Sequence, residues 1–188
     1  MINLDLEHYI QSVDNLRNLI RYQTAPRVSR ESVAEHSFFV AAYVLKLHDY
    51  YDFDLKKALS IALLHDFAET EISDVPHPVK RAYPLIESEL DKAEYDVNKN
   101  AIGQWLANGV DEFNHMTSPE GIIVKLADVL SVVAYSKYEI ELGNSHYMRT
   151  VYEGTIDRYK ECFQKAQAFA RPNMSCDLVS QVEKFINS

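Results

Sequence analysis

ALSIALLHDFAETEISDVPHPVK, residues 58–80, changes from an apolar helical pattern to a cluster of charges within a few positions. The apolar run ends in His65–Asp66, and three more carboxylates follow: Glu69, Glu71 and Asp74. Burying so many acidic groups beside an apolar face is costly unless something positive meets them. The sequence therefore predicts a buried helix that ends at a site for a positively charged group.

Apolar residues recur at helical spacing along the rest of the chain, and no segment alternates as a strand does. Ser32 and Glu35 fit a capping box, and Pro119 suits the first turn of a long helix that ends at Gly143. We predict one all-α domain over residues 1–188, a bundle of about six to seven helices with a proline-broken loop at residues 74–80. The predicted helices cover approximately residues 6–20, 32–51, 55–68, 86–107, 119–141, 148–170 and 176–186.

The composition is that of a globular protein, with 188 residues, 47% hydrophobic and 25% charged. A formal charge of −9 argues against partners such as DNA, RNA or anionic membranes, which are bound by clustered Lys and Arg. A small anionic substrate stays open, because a metal ion and a few cations can invert the field locally.

Nothing in the sequence predicts membrane insertion or export. No apolar run has the length of a membrane span, and the acidic, amphipathic residues 1–16 do not resemble a signal peptide. The expected location is cytoplasmic. Cys162 and Cys176 form no metal motif, and a core of this size needs no disulfide.

Three predicted helices each present a polar residue that can bind a metal. Adjacent helical residues such as His65 and Asp66 point about 100° apart, so they converge only on an object between them, such as a metal ion. His36 lies in the first turn of an apolar helix, and Asp128 lies within another. A core or capping histidine, and a salt bridge from Lys125 to Asp128, are the alternatives. Together the residues form a two-histidine, two-aspartate set suited to one divalent cation with positions open for water.

The same residues resemble the H…HD…D signature of the HD-domain metal-dependent phosphohydrolases. The resemblance is closest to the bacterial 5′-deoxynucleotidase (YfbR-like) branch, and small viral dATP triphosphohydrolases are related to it. It covers approximately residues 15–145. The matching strings are RY (21–22), ESVAEHS (31–37), HDFAETEISDVPHPVK (65–80) and KLADVLSVVAY (125–135).

The resemblance implies a role for each matching position. One divalent ion (Co, Mn, Zn, Fe or Mg) would be held by the ligand set His36, His65, Asp66 and Asp128. Glu69, one helical turn beyond the HD pair, would act as the base for the attacking water, and Asp74 would be a second catalytic carboxylate. Arg21 would hold the phosphate. The other expected substrate contacts are Tyr22, His36, Asp74, Val75, Pro76, His77, Lys125 and Asp128.

Tyr22 departs from the family pattern, which usually has a tryptophan there that packs against the sugar and rejects a 2′-hydroxyl. Tyrosine keeps an aromatic wall and adds a hydroxyl, and we expect a preference for deoxynucleotides to survive. The expected activity is a 5′-deoxynucleotidase on deoxynucleoside monophosphates. A deoxynucleoside triphosphate triphosphohydrolase and a nucleotide-binding regulator without turnover are the alternatives.

Other polar and aromatic residues are expected to be structural. Glu71 is expected to face solvent, and Glu139 and Glu141 to form a solvated face. The tyrosines between residues 135 and 159 suit the core or an interface between subunits, and a homo-oligomer is expected. Surface or capping positions are expected for the remaining histidines: His8, His48, His115 and His146.

Overall fold

The computed structural model describes residues 6–73, 75, 77–172, 181–182 and 184–186. These residues form α-helices and contain no strand beyond two isolated bridges, which confirms the predicted all-α class. Nine α-helices lie in the described part, two of them with six residues or fewer, against the six to seven predicted. They are α1 (Leu6–Asn15), α2 (Val33–Leu47), α3 (Leu55–Leu64), α4 (Glu69–Ile72), α5 (His77–Ala82), α6 (Pro84–Ala101), α7 (Gln104–His115), α8 (Pro119–Glu141) and α9 (Ser145–Ala166).

Helix α8 is the central element, and it packs against α2, α3, α7 and α9. Its sequence is apolar on most sides, as expected for a helix surrounded by others. Gly121 lets α7 approach closely, because a Cβ atom there would lie 2.4 Å from the Glu112 carbonyl oxygen. The core that α8 shares with its neighbours includes Val40, Val44, Ile61, Leu106, Phe113, Ile123, Leu126 and Tyr159.

Several predicted helix boundaries are wrong. The helix predicted over 86–107 is two helices, because Gly103 has φ 85°, a left-handed conformation that ends α6 and turns the chain into α7. The helix predicted over 55–68 ends at Leu64, and the loop predicted over 74–80 contains α5. The first helix ends at Asn15 instead of residue 20. The helix predicted over 176–186 falls largely outside the described residues, although 181–182 and 184–186 are helical.

No helix in the described part of the chain combines the length and apolar character that a membrane span requires. Cys162 is a free, buried thiol in the core, and Cys176 lies outside the described residues.

Glu139 corrects the prediction of a solvated acidic face on α8. Glu141 is exposed, but Glu139 is fully buried. Its carboxylate accepts hydrogen bonds from the Val28 amide (2.8 Å), the Ser29 amide (2.6 Å), the Ser29 hydroxyl (2.7 Å) and the Asn144 side chain (2.8 Å). Glu139 therefore fixes the loop of residues 21–31 to α8.

We predict that Glu139 makes stability depend on pH. Burial alone raises the pKa of Glu139, but its hydrogen bonds outweigh burial and lower the pKa from 4.5 to about 2. The ionised group therefore stabilises the fold above pH 4.5, and this stabilisation, about 3 kcal/mol, is lost as the pH falls toward 2.

Denaturant unfolding of the wild type and Glu139→Gln across pH 7 to 3 measures this contribution. The stability difference between them should shrink as the pH falls from about 5 to 3, the range set by the lowered pKa. Glu141→Gln is the exposed control and should match the wild type throughout. A Glu139→Gln difference that stays constant with pH contradicts the prediction.

Candidate metal centre and active site

His36 is placed by the start of α2. The predicted capping box is present: the Glu35 amide donates to the Ser32 hydroxyl (3.2 Å), and the Ser32 amide donates to the Glu35 carboxylate (2.7 Å). This fixes the first turn of the helix and directs His36 into the interior, where it is fully buried. His36 Nδ1 lies 3.2 Å from the Ser131 hydroxyl of α8.

His65 and Asp66 follow the last residue of α3, at the point where the helix gives way to a turn. His65 Nδ1 donates to the Ala62 carbonyl at 2.9 Å. Because a carbonyl oxygen can only accept, this contact places the proton on Nδ1 and leaves the lone pair of neutral His65 on Nε2.

Three of the four predicted ligands meet where α2 and the turn after α3 come together, and Asp128 of α8 adjoins them through His36. His36, His65 and Asp66 each offer a ligand atom, and these atoms lie within 4.8 Å of one another. His65 Nε2 is 3.3 Å from Asp66 Oδ2, and His36 Nε2 is 3.2 Å from Asp128 Oδ1. A potential His/Asp metal site is therefore present in the described residues.

The charge states favour a cation in this cluster. Nε2 of His36 and Nε2 of His65 are both buried and make no hydrogen bond. Burial, aided by the Arg21 charge, lowers the pKa of His36 to about 4, so at neutral pH His36 is uncharged and gives Asp128 no positive charge. Burial lowers the pKa of His65 too, but the Asp66 charge outweighs it and the net shift is upward. A His65–Asp66 ion pair would therefore explain two of the four clustered residues, and it would leave His36 and Asp128 unexplained.

Both aspartates are ionised at neutral pH. Burial raises the pKa of each, but the His65 charge beside Asp66 and the Lys125 charge beside Asp128 outweigh it and hold both pKa values below their usual range. The predicted salt bridge is present, with Lys125 Nζ 3.2 Å from Asp128 Oδ2. Since Oδ1 of Asp128 faces His36 instead, this salt bridge leaves one oxygen for a metal ion.

The four side chains of the cluster provide suitable ligand atoms for a divalent cation. Two imidazole nitrogens and two carboxylate oxygens, with the second imidazole nitrogens held by Ser131 and by a backbone carbonyl, form the donor set of borderline transition metals.

Arg21 lies at the edge of the cluster. Its Nη1 is 3.4 Å from Asp66 Oδ2, and its Nε is 3.5 Å from the Glu31 carboxylate. Glu31 is buried, and burial raises its pKa to about 7 although the Arg21 charge opposes the rise. The sequence analysis assigned no role to Glu31, although Glu31 is the first residue of the matching ESVAEHS string.

Tyr22 has an unusual backbone and a defined stacking partner. Its φ of 57° lies in the left-handed region, a conformation that non-glycine residues rarely adopt and that is concentrated at functional sites. The Tyr22 ring stacks on Tyr135 of α8 with centroids 5.1 Å apart, and the Arg21 guanidinium lies 5.7 Å from its centroid. The ring is therefore held next to Arg21, as the predicted sugar wall requires.

The structure describes only some of the other predicted catalytic and substrate-binding residues. Glu69 is the first residue of α4, and its amide donates to the Asp66 carbonyl at 3.1 Å. It thus follows the HD pair through a turn and not along the continuous helix face that was predicted. Val75 is partly buried. Outside the described residues lie Asp74, Pro76 and the side chain of His77.

Known proteins share this fold, with about a quarter of the aligned residues identical. The PH0347 protein of Pyrococcus horikoshii is 28% identical with a TM-score of 0.72, and the match covers 97% of this chain and 96% of that one. An HD-domain phosphohydrolase from Listeria innocua is 25% identical with a TM-score of 0.68, over 86% of this chain and 82% of its own. Fold and cluster together are those of the HD-domain phosphohydrolases.

The family within that class follows from sequence. The model of the 5′-deoxynucleotidase YfbR-like family matches residues 8–172. A 5′-deoxynucleotidase from Photorhabdus temperata is 27% identical over 154 residues, 76% of this chain and 78% of the relative. The chain belongs to the YfbR-like 5′-deoxynucleotidase family, which confirms the predicted resemblance.

We predict that Asp128→Ala abolishes tight metal retention without unfolding the protein. The substitution removes one of the two carboxylates that would balance the cation, while Lys125 keeps its contact with the Phe113 ring (3.7 Å to the centroid). Metal content after dialysis, measured by mass spectrometry, should fall to the background level, and helical circular dichroism should be kept. Asp157→Ala, on the exposed surface of α9, is the control. Full metal content in Asp128→Ala would place the metal elsewhere.

Proposed function

We propose that this protein hydrolyses the 5′-phosphate ester of 2′-deoxynucleoside monophosphates, with one divalent cation held by His36, His65, Asp66 and Asp128. The observation that carries the proposal is the pair of buried, unbonded histidine Nε2 atoms that face ionised carboxylates beside Arg21. The name of the Photorhabdus relative, 5′-deoxynucleotidase, supports the same substrate.

The proposed chemistry divides the work between the cation and the chain. When bound, the divalent cation supplies charge stabilisation to a phosphoryl oxygen and makes water more acidic. Arg21 holds the phosphate with its guanidinium and spreads the negative charge that develops on the equatorial oxygens. Glu69 accepts the proton of the attacking water. Asp74 is our candidate for the acid that protonates the departing 5′-oxygen.

The cations near the site bear on the choice between a monophosphate and a triphosphate. A longer phosphate chain needs several additional positive charges near the site. However, Lys80 pairs with Glu94 (2.9 Å), Lys125 pairs with Asp128 (3.2 Å), and Arg27 donates to the Tyr22 carbonyl (2.7 Å). These three side chains are engaged by protein groups, but so is Arg21, and Arg30 lines the cavity beside Glu31. The choice of a monophosphate therefore rests on the name of the Photorhabdus relative, and triphosphohydrolase activity is the second candidate.

The choice of metal follows from the donor set. Two imidazole nitrogens suit Mn, Co, Fe or Zn better than Mg, which prefers oxygen ligands and retains its waters.

Homo-oligomerisation and a cytoplasmic location stay predictions from the sequence.

A substrate screen tests the function directly. The metal-loaded protein is incubated with ribo- and deoxynucleoside mono-, di- and triphosphates, and chromatography identifies the products. Nucleoside and inorganic phosphate from deoxynucleoside monophosphates is the expected result. Triphosphate as a product would indicate triphosphohydrolase activity, and nucleotide binding without turnover would indicate a regulator.

We predict that Glu69→Gln separates binding from chemistry. The amide keeps the shape of the side chain but cannot accept the proton, so kcat should fall by about 10²- to 10⁴-fold. Metal content and the inhibition constant of inorganic phosphate should stay near wild type. Steady-state kinetics with matched metal analysis provides the measurement, and near-native turnover would remove Glu69 from the mechanism.

We predict that Tyr22 excludes the 2′-hydroxyl by occupying space, because its ring is fixed by Tyr135. The ratio of kcat/KM for dAMP over AMP should fall in Tyr22→Ala, whose wall is gone, and stay high in Tyr22→Phe, whose ring remains. A pocket that only excludes an added hydroxyl discriminates by roughly 10²-fold. Equal kcat/KM values for the two sugars in the wild type would show that Tyr22 is not the selective element.

A further inference from the structure

Glu31 is a buried carboxylate that the proposed reaction does not use. Its carboxylate lies 3.5 Å from Arg21 Nε, while Arg21 Nη1 points to Asp66 at 3.4 Å. Arg21 is therefore held between two carboxylates from different segments. Asp66 belongs to the proposed ligand set, whereas Glu31 contacts none of the four ligands by any ion pair or hydrogen bond between described residues.

The backbone already fixes where these two residues lie. The Arg21 amide donates to the Glu31 carbonyl (2.9 Å), the Val33 amide donates to the Leu19 carbonyl (2.9 Å), and Ile20 and Ser32 form an antiparallel bridge. The two segments are thus paired independently of the Glu31 side chain. What the Glu31 carboxylate adds is a fixed orientation for the guanidinium.

The orientation of the Arg21 guanidinium decides which of its edges can bind a phosphate. The planar group binds a phosphate with two parallel N–H groups along one edge. Because Glu31 is at Nε, the edge formed by the two terminal nitrogens is turned toward the metal cluster. That edge is the one that can meet a phosphate bound there.

Glu31 lies between Arg21 and open volume. A cavity of about 360 Å³ lies against Glu31, and its lining also includes Tyr43, Ser131 and Tyr135. Arg21 does not line this cavity, so Glu31 contacts the guanidinium on one side and borders the cavity on the other.

We propose that Glu31 is a positioning residue that presents the terminal edge of the Arg21 guanidinium to the substrate phosphate. The inference rests on the proposed function, because it takes Arg21 as the phosphate-binding group. Glu31 acts through Arg21 by an ion pair, so the charge of Glu31 carries the positioning and an amide at this position keeps only its polar shape.

The test compares Glu31→Leu, which removes the charge and the polar atoms at similar volume, with Glu31→Gln, which removes the charge alone. Both variants should raise KM for dAMP and the dissociation constant of inorganic phosphate, measured calorimetrically on the Mn²⁺-loaded protein. The rise should be on the order of 10- to 100-fold in Glu31→Leu, the cost of a misplaced binding group, and smaller in Glu31→Gln, which keeps a polar oxygen. Metal content should be unchanged in both.

A double-mutant cycle with Arg21→Met shows whether Glu31 acts through Arg21. In the Arg21→Met background, Glu31→Leu should cause less than about a twofold further loss of phosphate affinity. Losses that multiply, or unchanged phosphate affinity in Glu31→Leu, would overturn the inference.

Two further measurements cover a variant that does not fold and a wild type that shows no turnover. If Glu31→Leu does not fold, Glu31→Asp replaces it, since its shorter side chain draws the acceptor away from Nε, and unchanged phosphate affinity in that variant overturns the inference. A wild type that turns over no nucleotide would refute the proposed function. Phosphate binding by the same variants would still decide the role of Glu31.

Discussion

Two buried imidazoles and two ionised carboxylates lie in contact between α2, α8 and the turn after α3, and the fold has to hold these four side chains together. Such a cluster is costly to bury unless a cation binds it. His36 is kept neutral by burial and by the Arg21 charge, and the proton of neutral His65 is assigned to Nδ1 by a backbone carbonyl. His65 can pair with Asp66, but the neutral His36 gives Asp128 no positive charge. The cluster has the chemistry of a metal centre.

A single face of α8 links the parts of the site. Four of its residues lie at spacings of three or four along that face: Asp128, Ser131, Tyr135 and Glu139. Asp128 faces His36 of the proposed ligand set, Ser131 contacts the other nitrogen of His36, and Tyr135 stacks on the Tyr22 ring. Glu139 binds the loop that carries Arg21 and Tyr22. The same helix is the centre of the core, so the stability of the bundle and the geometry of the site depend on the same packing.

The sequence predicted the parts of this arrangement that depend on local pattern. The capping box of Ser32 and Glu35, and with it the position of His36, could be found because it depends on residues three apart. The break at Gly103 was missed because an isolated glycine does not reveal whether it will adopt a left-handed conformation. Glu139 and Glu31 were missed for another reason. Glu139 bonds to Ser29, 110 residues away, and helical spacing carries no information about such a partner.

The central claim, that one divalent cation is bound by both histidines, is tested most directly by X-ray absorption spectroscopy at the zinc edge, on the protein loaded with one equivalent of Zn²⁺. The expected spectrum shows two imidazole nitrogens at about 2.0–2.1 Å, with oxygen ligands completing the shell. A coordination shell of oxygen alone, or one that contains sulfur, would show that the buried histidines do not hold the metal and would contradict the account.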